Sequence, residues 1–138
     1  MEGYPFRTPV TVGKDLTVTF YPAGHILGSA ISVFTYENNG RPLRVCYTGD
    51  IGRFDKPILK DPCLDFKPED REIELLIMES TYGNRVHEPV LDLKPRLKAA
   101  LIEANDNGGA ILIPSFAYGR TQELLYVLHE LYAEGEVP

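Results

Sequence analysis

The chain has 138 residues, 43% of them apolar and 25% charged, which suits one soluble globular domain with a real hydrophobic core. A net charge of −6 argues against a surface devoted to coating nucleic acid, which is normally basic, but leaves room for an enzyme that holds a polyanion at one local metal site. No run approaches the ~18 apolar residues of a membrane span, the opening "MEGYPFRTPV" has none of the layout of a signal peptide, and two cysteines, Cys46 and Cys63, make neither a disulfide framework nor a ligand pair, so the expected location is cytoplasmic.

In chain order, "LTVTFY" at 16–21 alternates and is rich in Val, Thr and aromatics, which predicts a strand. "AISVFTYE" at 30–37 and "LRVCYT" at 43–48 predict two more, joined through the turn "ENNGRP" as an antiparallel hairpin. A long irregular segment with three prolines follows Asp50 and is expected to wrap over the surface. Between Asp61 and Glu79 seven carboxylates face only Lys67 and Arg71, the pattern of a solvated acidic loop.

The pattern then changes. "IELLIME" at 73–79 contains a continuous apolar run, which predicts a strand buried on both faces. Leu93, Leu97, Ala100, Leu101 and Ala104 share one helical face, with Asp92 as N-cap, Pro95 in the first turn and "NDNGG" as terminator. "AILIP" at 110–114 predicts another buried strand, and Leu124, Val127, Leu128 and Leu131 the stripe of a last helix. The expected class is α/β: an antiparallel, strand-rich first part, then β-α-β-α with parallel character. A parallel two-stranded unit rarely stands alone, so a fragment of a longer protein is expected.

Three predicted strands end in one titratable residue among small neighbours: His25 in "AGHILGSA", Asp50 in "TGDIG" and Glu79 in "ESTYG". Ligands projecting from adjacent strand ends into one groove are a way to build a metal site, and a histidine with a carboxylate suits zinc or manganese. Each residue also has a plainer reading. His25 could be structural, bonded to a carbonyl; Asp50 could stabilise a turn; Glu79 could be a surface or helix-start acid.

The blocks "AGHILGSA", "YTGD", "ESTYG" and "GGAILIPSFAYGRTQELL", in this order from about Leu16 to Leu131, resemble the β-CASP group of metallo-β-lactamase-fold nucleases. That group includes the endonuclease subunit of the pre-mRNA 3′-end cleavage complex and ribonucleases of bacteria and archaea. The resemblance implies part of an αββα sandwich over 1–79 and the first β-α-β-α elements of a β-CASP domain over 80–138. It makes His25 a ligand to one of two zinc ions, Asp50 a carboxylate bridging both, and Glu79 a supporting acid at the catalytic site. It places "PSFAYGR" at the first β-CASP strand-loop-helix. There Ser115, Arg120 and helix N-terminal amides could hold a phosphate of an RNA strand, although Arg120 could instead pair with Glu123.

His87 sits where relatives also tend to have a histidine, without a known ligand role, and His129 is expected to be a surface or structural residue. The "HxHxDH" motif, which supplies most ligands in the family, is absent from these 138 residues, whose three histidines are never closer than 42 positions. The full-length parent is therefore expected to be a two-zinc RNA phosphodiesterase. This chain alone is expected to be inactive, with weak or no metal binding, and to self-associate through a truncated sheet. Rival readings are a metallo-β-lactamase-fold hydrolase of a non-RNA substrate, a non-catalytic scaffold paralogue, and a small nucleotide-binding α/β module. The last lacks any Gly-rich phosphate fingerprint.

Overall fold

A computed structural model describes residues 3–86 and 93–138, in two compact units. His87 and the expected N-cap Asp92 lie outside the described residues. The first unit runs to Phe54 and resumes over Leu59–Gly83; the second comprises Asp55–Ile58 and Asn84–Pro138.

The first unit is a five-stranded mixed sheet in the order β1-β2-β3-β4-β5: β1 Pro9–Gly13, β2 Leu16–Pro22, β3 Ala30–Asn38, β4 Arg41–Tyr47 and β5 Leu75–Ile77. The first four strands form an antiparallel meander, and β5 joins β4 in parallel. The expected hairpin is present as β3–β4. Its last pair is Asn38 with Arg41, leaving Asn39 and Gly40 at φ +50° and +83°. Two consecutive left-handed residues match the twist of a two-residue hairpin turn, which is why Asn-Gly occurs there. Strand β1 was not among the expected elements, although "VTV" carries a short alternation; it pairs with β2 and leaves most of its residues exposed.

Alternation directs one face of the sheet inward. Tyr21 lies opposite Ile31 and Val33 opposite Cys46. These four, with Ala23 and Cys63, make the core, and Phe66 and Ile73 pack against it. The segment joining β4 to β5 supplies the cover. Cys63 N–H donates to Pro22 O at 2.9 Å, and the Phe66 ring lies 4.7 Å from that of Tyr21. A 3-10 turn at Pro68–Asp70 brings the buried Asp70 carboxylate 2.5 Å from the Tyr21 hydroxyl, which also accepts from Lys67 N–H at 3.1 Å. Asp70 is thus an exception within the acidic stretch; Asp65 and Glu72, with side chains 79% and 91% exposed, behave as the solvated loop expected. Both cysteines are free and buried, and burial pushes the Cys46 thiol up.

Two expectations are corrected. The strand at 73–79 is not buried on both faces: it shortens to β5, and Leu75, Leu76, Ile77 and Met78 are all about half exposed. Burial on both faces requires a layer on each side. β5 is the end strand of its sheet, and this unit contains no α-helix among its described residues. The expected strand at 110–114 forms no ladder, and Leu112 is 93% exposed. Apolar β-branched composition supplies propensity only; a strand also needs a neighbour to pair with.

The second unit contains α1, Leu93–Asp106, and α2, Arg120–Ala133. Both expected helices are present. Leu97, Val127 and Leu131 are buried between them, with Leu101, Leu124, Leu128 and Val137 against this core. Ala100, expected on the same face, is exposed. Gly108 at φ +62° ends α1 as expected of "NDNGG", with Gly109 N–H reaching back to Ala104 O at 2.8 Å. Lys94 bridges Glu130 of α2 and Glu134 just past its end, and Lys98 meets Glu136. His129 is exposed on α2, in keeping with a surface role. No helix of the described residues is long and apolar enough to cross a membrane.

Candidate metal centre

Strand β2 runs out at Pro22, and residues 23–29 form a small loop before β3. Its base is closed by Ala23 N–H donating to Ser29 O at 3.1 Å. Inside it the Ser29 hydroxyl oxygen accepts from the N–H groups of His25 and Ile26, at 3.0 and 3.2 Å. The His25 ring, 43% exposed, is held by its backbone at the rim rather than hidden in the core.

Strand β4 ends at Tyr47, and Thr48 continues toward β5 by donating its N–H to Ile77 O at 3.0 Å. Gly49 at φ +56° then reverses the chain and delivers Asp50 to the same rim. His25 Nε2 and Asp50 Oδ2 stand 3.7 Å apart. Two donors on one zinc, each about 2.0–2.2 Å from it at tetrahedral angles, stand roughly 3.3–3.5 Å apart. A small side-chain adjustment would let this imidazole and carboxylate share an ion, so the donor pair fits a divalent metal.

Glu79 follows β5 and turns back on the Asp50 loop: its Oε1 accepts from Ile51 N–H at 2.6 Å. That bond, helped by the Thr81 side chain and backbone and by the nearby His25 ring, holds the Glu79 carboxyl below the usual carboxylate range. Glu79 is therefore an ionised acceptor at neutral pH, unsuited to act as a proton donor. Among the described residues no group of three or more His, Cys, Asp and Glu side chains could hold a metal ion. The structure thus brings His25, Asp50 and Glu79 to one rim, with two of them spaced as a ligand pair.

The loops are fitted together by glycine. Gly52 N–H donates to Ala23 O at 2.8 Å, and a methyl group on Gly52 would overlap the carbonyl of Gly24. Gly24, at φ +66°, is itself pressed against Pro62 and Lys60 O. These glycines serve a backbone crossing, not merely a sharp turn. Ser29, Gly52 and the Ile51 amide are the site features the linear reading did not assign. Ser29 had a local signal, a hydroxyl four residues after the histidine; the other two depend on contacts between distant segments.

Ser115 and Arg120 belong to the second unit. Arg120 opens α2 and is exposed. Ser115 Oγ lies 3.0 Å from Thr121 Oγ1, and Thr121 donates its hydroxyl proton to Phe116 O at 2.6 Å. In the Ser115–Thr121 contact Ser115 is therefore the donor, and its proton is already used. Glu123 does not wait for Arg120: its carboxylate is 3.0 Å from Lys56 Nζ, an ion pair without hydrogen-bond geometry.

The chain is thus a mixed α/β fold whose sheet brings an imidazole and two carboxylates to one rim, and sequence comparison narrows the class. No family model matches the chain. It is similar to an endoribonuclease, YSH1, of Mycosarcoma maydis, with 38% identity over 134 residues, covering 96% of this chain and 14% of that protein. It is also similar to the transcription termination factor FttA of Methanosarcina mazei, 38% identical over 92% of this chain and 19% of the relative. A third relative is the ribonuclease TTHA0252 of Thermus thermophilus, 39% identical over 83% of this chain and 24% of the relative. The chain is thus homologous, over most of its own length, to a stretch of the β-CASP group of metallo-β-lactamase-fold nucleases. It spans between a seventh and a quarter of the length of these three relatives.

Proposed function

We propose that this chain carries part of the catalytic centre of a zinc-dependent RNA phosphodiesterase, with His25 and Asp50 as metal ligands. In this reading residues 1–79 belong to a metallo-β-lactamase αββα sandwich and 80–138 open the β-CASP domain. The observation that carries it is the 3.7 Å approach of His25 Nε2 to Asp50 Oδ2, made by loops from different strands. The relatives named as ribonucleases and endoribonucleases supply the substrate class, RNA.

His25 and Asp50 would hold the cation, Asp50 having two oxygens with which to bridge a pair of ions. Bound there, divalent zinc supplies Lewis acidity, acidifying a water and offsetting charge on a phosphodiester. Glu79 contributes by fixing the backbone beside Asp50 through Ile51 N–H. Arg120 and the first amides of α2 are assigned to a phosphate of the RNA strand; Ser115, its proton committed to Thr121, would have to rotate to join them.

Two ligands are too few for a dinuclear centre, so the chain by itself is assigned weak zinc binding and no ribonuclease activity. The half-exposed run Leu75–Met78 at the sheet edge favours self-association. Zinc titration followed by amide NMR tests the site: shifts should concentrate around residues 25 and 50. Zinc retained stoichiometrically through dialysis at micromolar protein, or shifts elsewhere in the chain, would overturn the ligand assignment.

A further inference from the structure

We infer that Ser29 is a positioning residue for the metal centre: its hydroxyl sets where the His25 imidazole stands relative to Asp50. The inference deepens the reading of His25 and Asp50 as a ligand pair and rests on it.

The argument starts from the loop between β2 and β3. Its seven residues, 23–29, contain two glycines at positive φ, Gly24 at +66° and Gly28 at +84°. Glycine leaves many backbone states open, so a histidine between such residues has no fixed direction unless something else restrains it. Four of the loop's bonds meet at Ser29. Its backbone carbonyl accepts from Ala23 N–H, its own N–H donates to Ile26 O at 3.0 Å, and its hydroxyl oxygen accepts from both His25 and Ile26 N–H. The first two bonds survive any substitution that keeps the backbone. Only the hydroxyl reaches the amide of the histidine itself.

Ring placement follows from that amide. The imidazole hangs from a Cα adjacent to the bonded nitrogen, and its far nitrogen must come within a few tenths of an ångström of the spacing one cation requires. Without the hydroxyl, the amides of His25 and Ile26 can turn to water, and the loop, still anchored at its base by Gly52 N–H on Ala23 O, loses the bond to the histidine's own amide. Groups that orient a metal ligand without touching the metal typically change affinity by about tenfold or more.

Ser29→Ala and Ser29→Thr separate this role from simple stability. Threonine keeps the oxygen and adds one methyl in a half-buried position. In the 138-residue chain, Ser29→Ala should speed amide exchange at His25 and Ile26 at least fivefold and weaken the NOE between the His25 ring and the Asp50 β-protons. Its zinc affinity, read from the NMR titration, should fall about tenfold. Ser29→Thr should restore all three. Unchanged exchange and an unchanged ring NOE in Ser29→Ala would overturn the inference, as would zinc affinity equal to that of the parent chain or a threonine variant that rescues none of the three. A parent chain that shows no zinc shifts would refute the metal reading alone, and exchange and the NOE would still decide whether Ser29 positions the ring.

Discussion

Replacing Gly52 by alanine should dislocate the candidate metal centre without touching a ligand. Gly52 is not in the left-handed region, so alanine is permitted there by its own backbone; the obstacle is space. An added Cβ would overlap the carbonyl carbon and oxygen of Gly24 and stand 2.7 Å from His25 N. The space beside Gly24 is filled too, since Pro62 N and Lys60 O lie 2.8 and 2.9 Å from where its own Cβ would be. The two loops must separate, and the Gly52 N–H bond to Ala23 O goes with them. Overpacking costs about 1–3 kcal/mol and the lost hydrogen bond about 1 kcal/mol, together roughly 2–4 kcal/mol. For a cooperative unit of this size each kcal/mol moves Tm by about 4–8 °C, so circular dichroism should show a fall of roughly 10–30 °C. The same variant should lose the NOE between the His25 ring and Asp50. A variant melting within about 2 °C of the parent, with that NOE intact, would refute the crossing as the device that sets the two loops.

Other outcomes follow from the same geometry. Tyr21→Phe should destabilise the chain by about 2 kcal/mol at neutral pH, because it strips the buried Asp70 carboxylate and Lys67 N–H of their partner. Burial and the Asp70 contact push the Tyr21 hydroxyl from 10 up to about 12, so the folded chain keeps a proton that the unfolded chain releases above pH ~10. That contribution, roughly 2–3 kcal/mol, is complete below pH ~10 and is lost as pH rises through about 12; urea unfolding from pH 7 to 11.5 should show this decline in the parent and not in Tyr21→Phe. Glu79→Gln keeps an acceptor for Ile51 N–H but removes its charge, and exchange of the Ile51 amide should accelerate about fivefold. His25→Ala and Asp50→Ala should each abolish zinc-induced shifts at the other residue's loop; either variant retaining them would remove that residue from the site. Incubation of the chain with zinc and end-labelled RNA should give no cleavage, and size-exclusion elution should move earlier as concentration rises.

Much of the architecture was written locally. The Asn-Gly turn, the alternating runs of β2 to β4, the stripes of α1 and α2 and the glycine past α1 each depend on neighbours a few positions apart, which a linear reading can see. The exposure of Leu75–Met78 and the missing ladder at 110–114 could not be read that way, because burial and strand pairing depend on what lies alongside. The candidate centre divides along the same line. Its candidate residues, His25 and Asp50 at strand ends with Glu79 after them, were marked by the order of residues, since each strand announces its own end. Their spacing was decided only in three dimensions: by Gly52 crossing Gly24 and by Glu79 reaching 28 positions back to Ile51 N–H. Such bonds join segments that are distant along the chain, and sequence periodicity carries no information about which distant groups will meet.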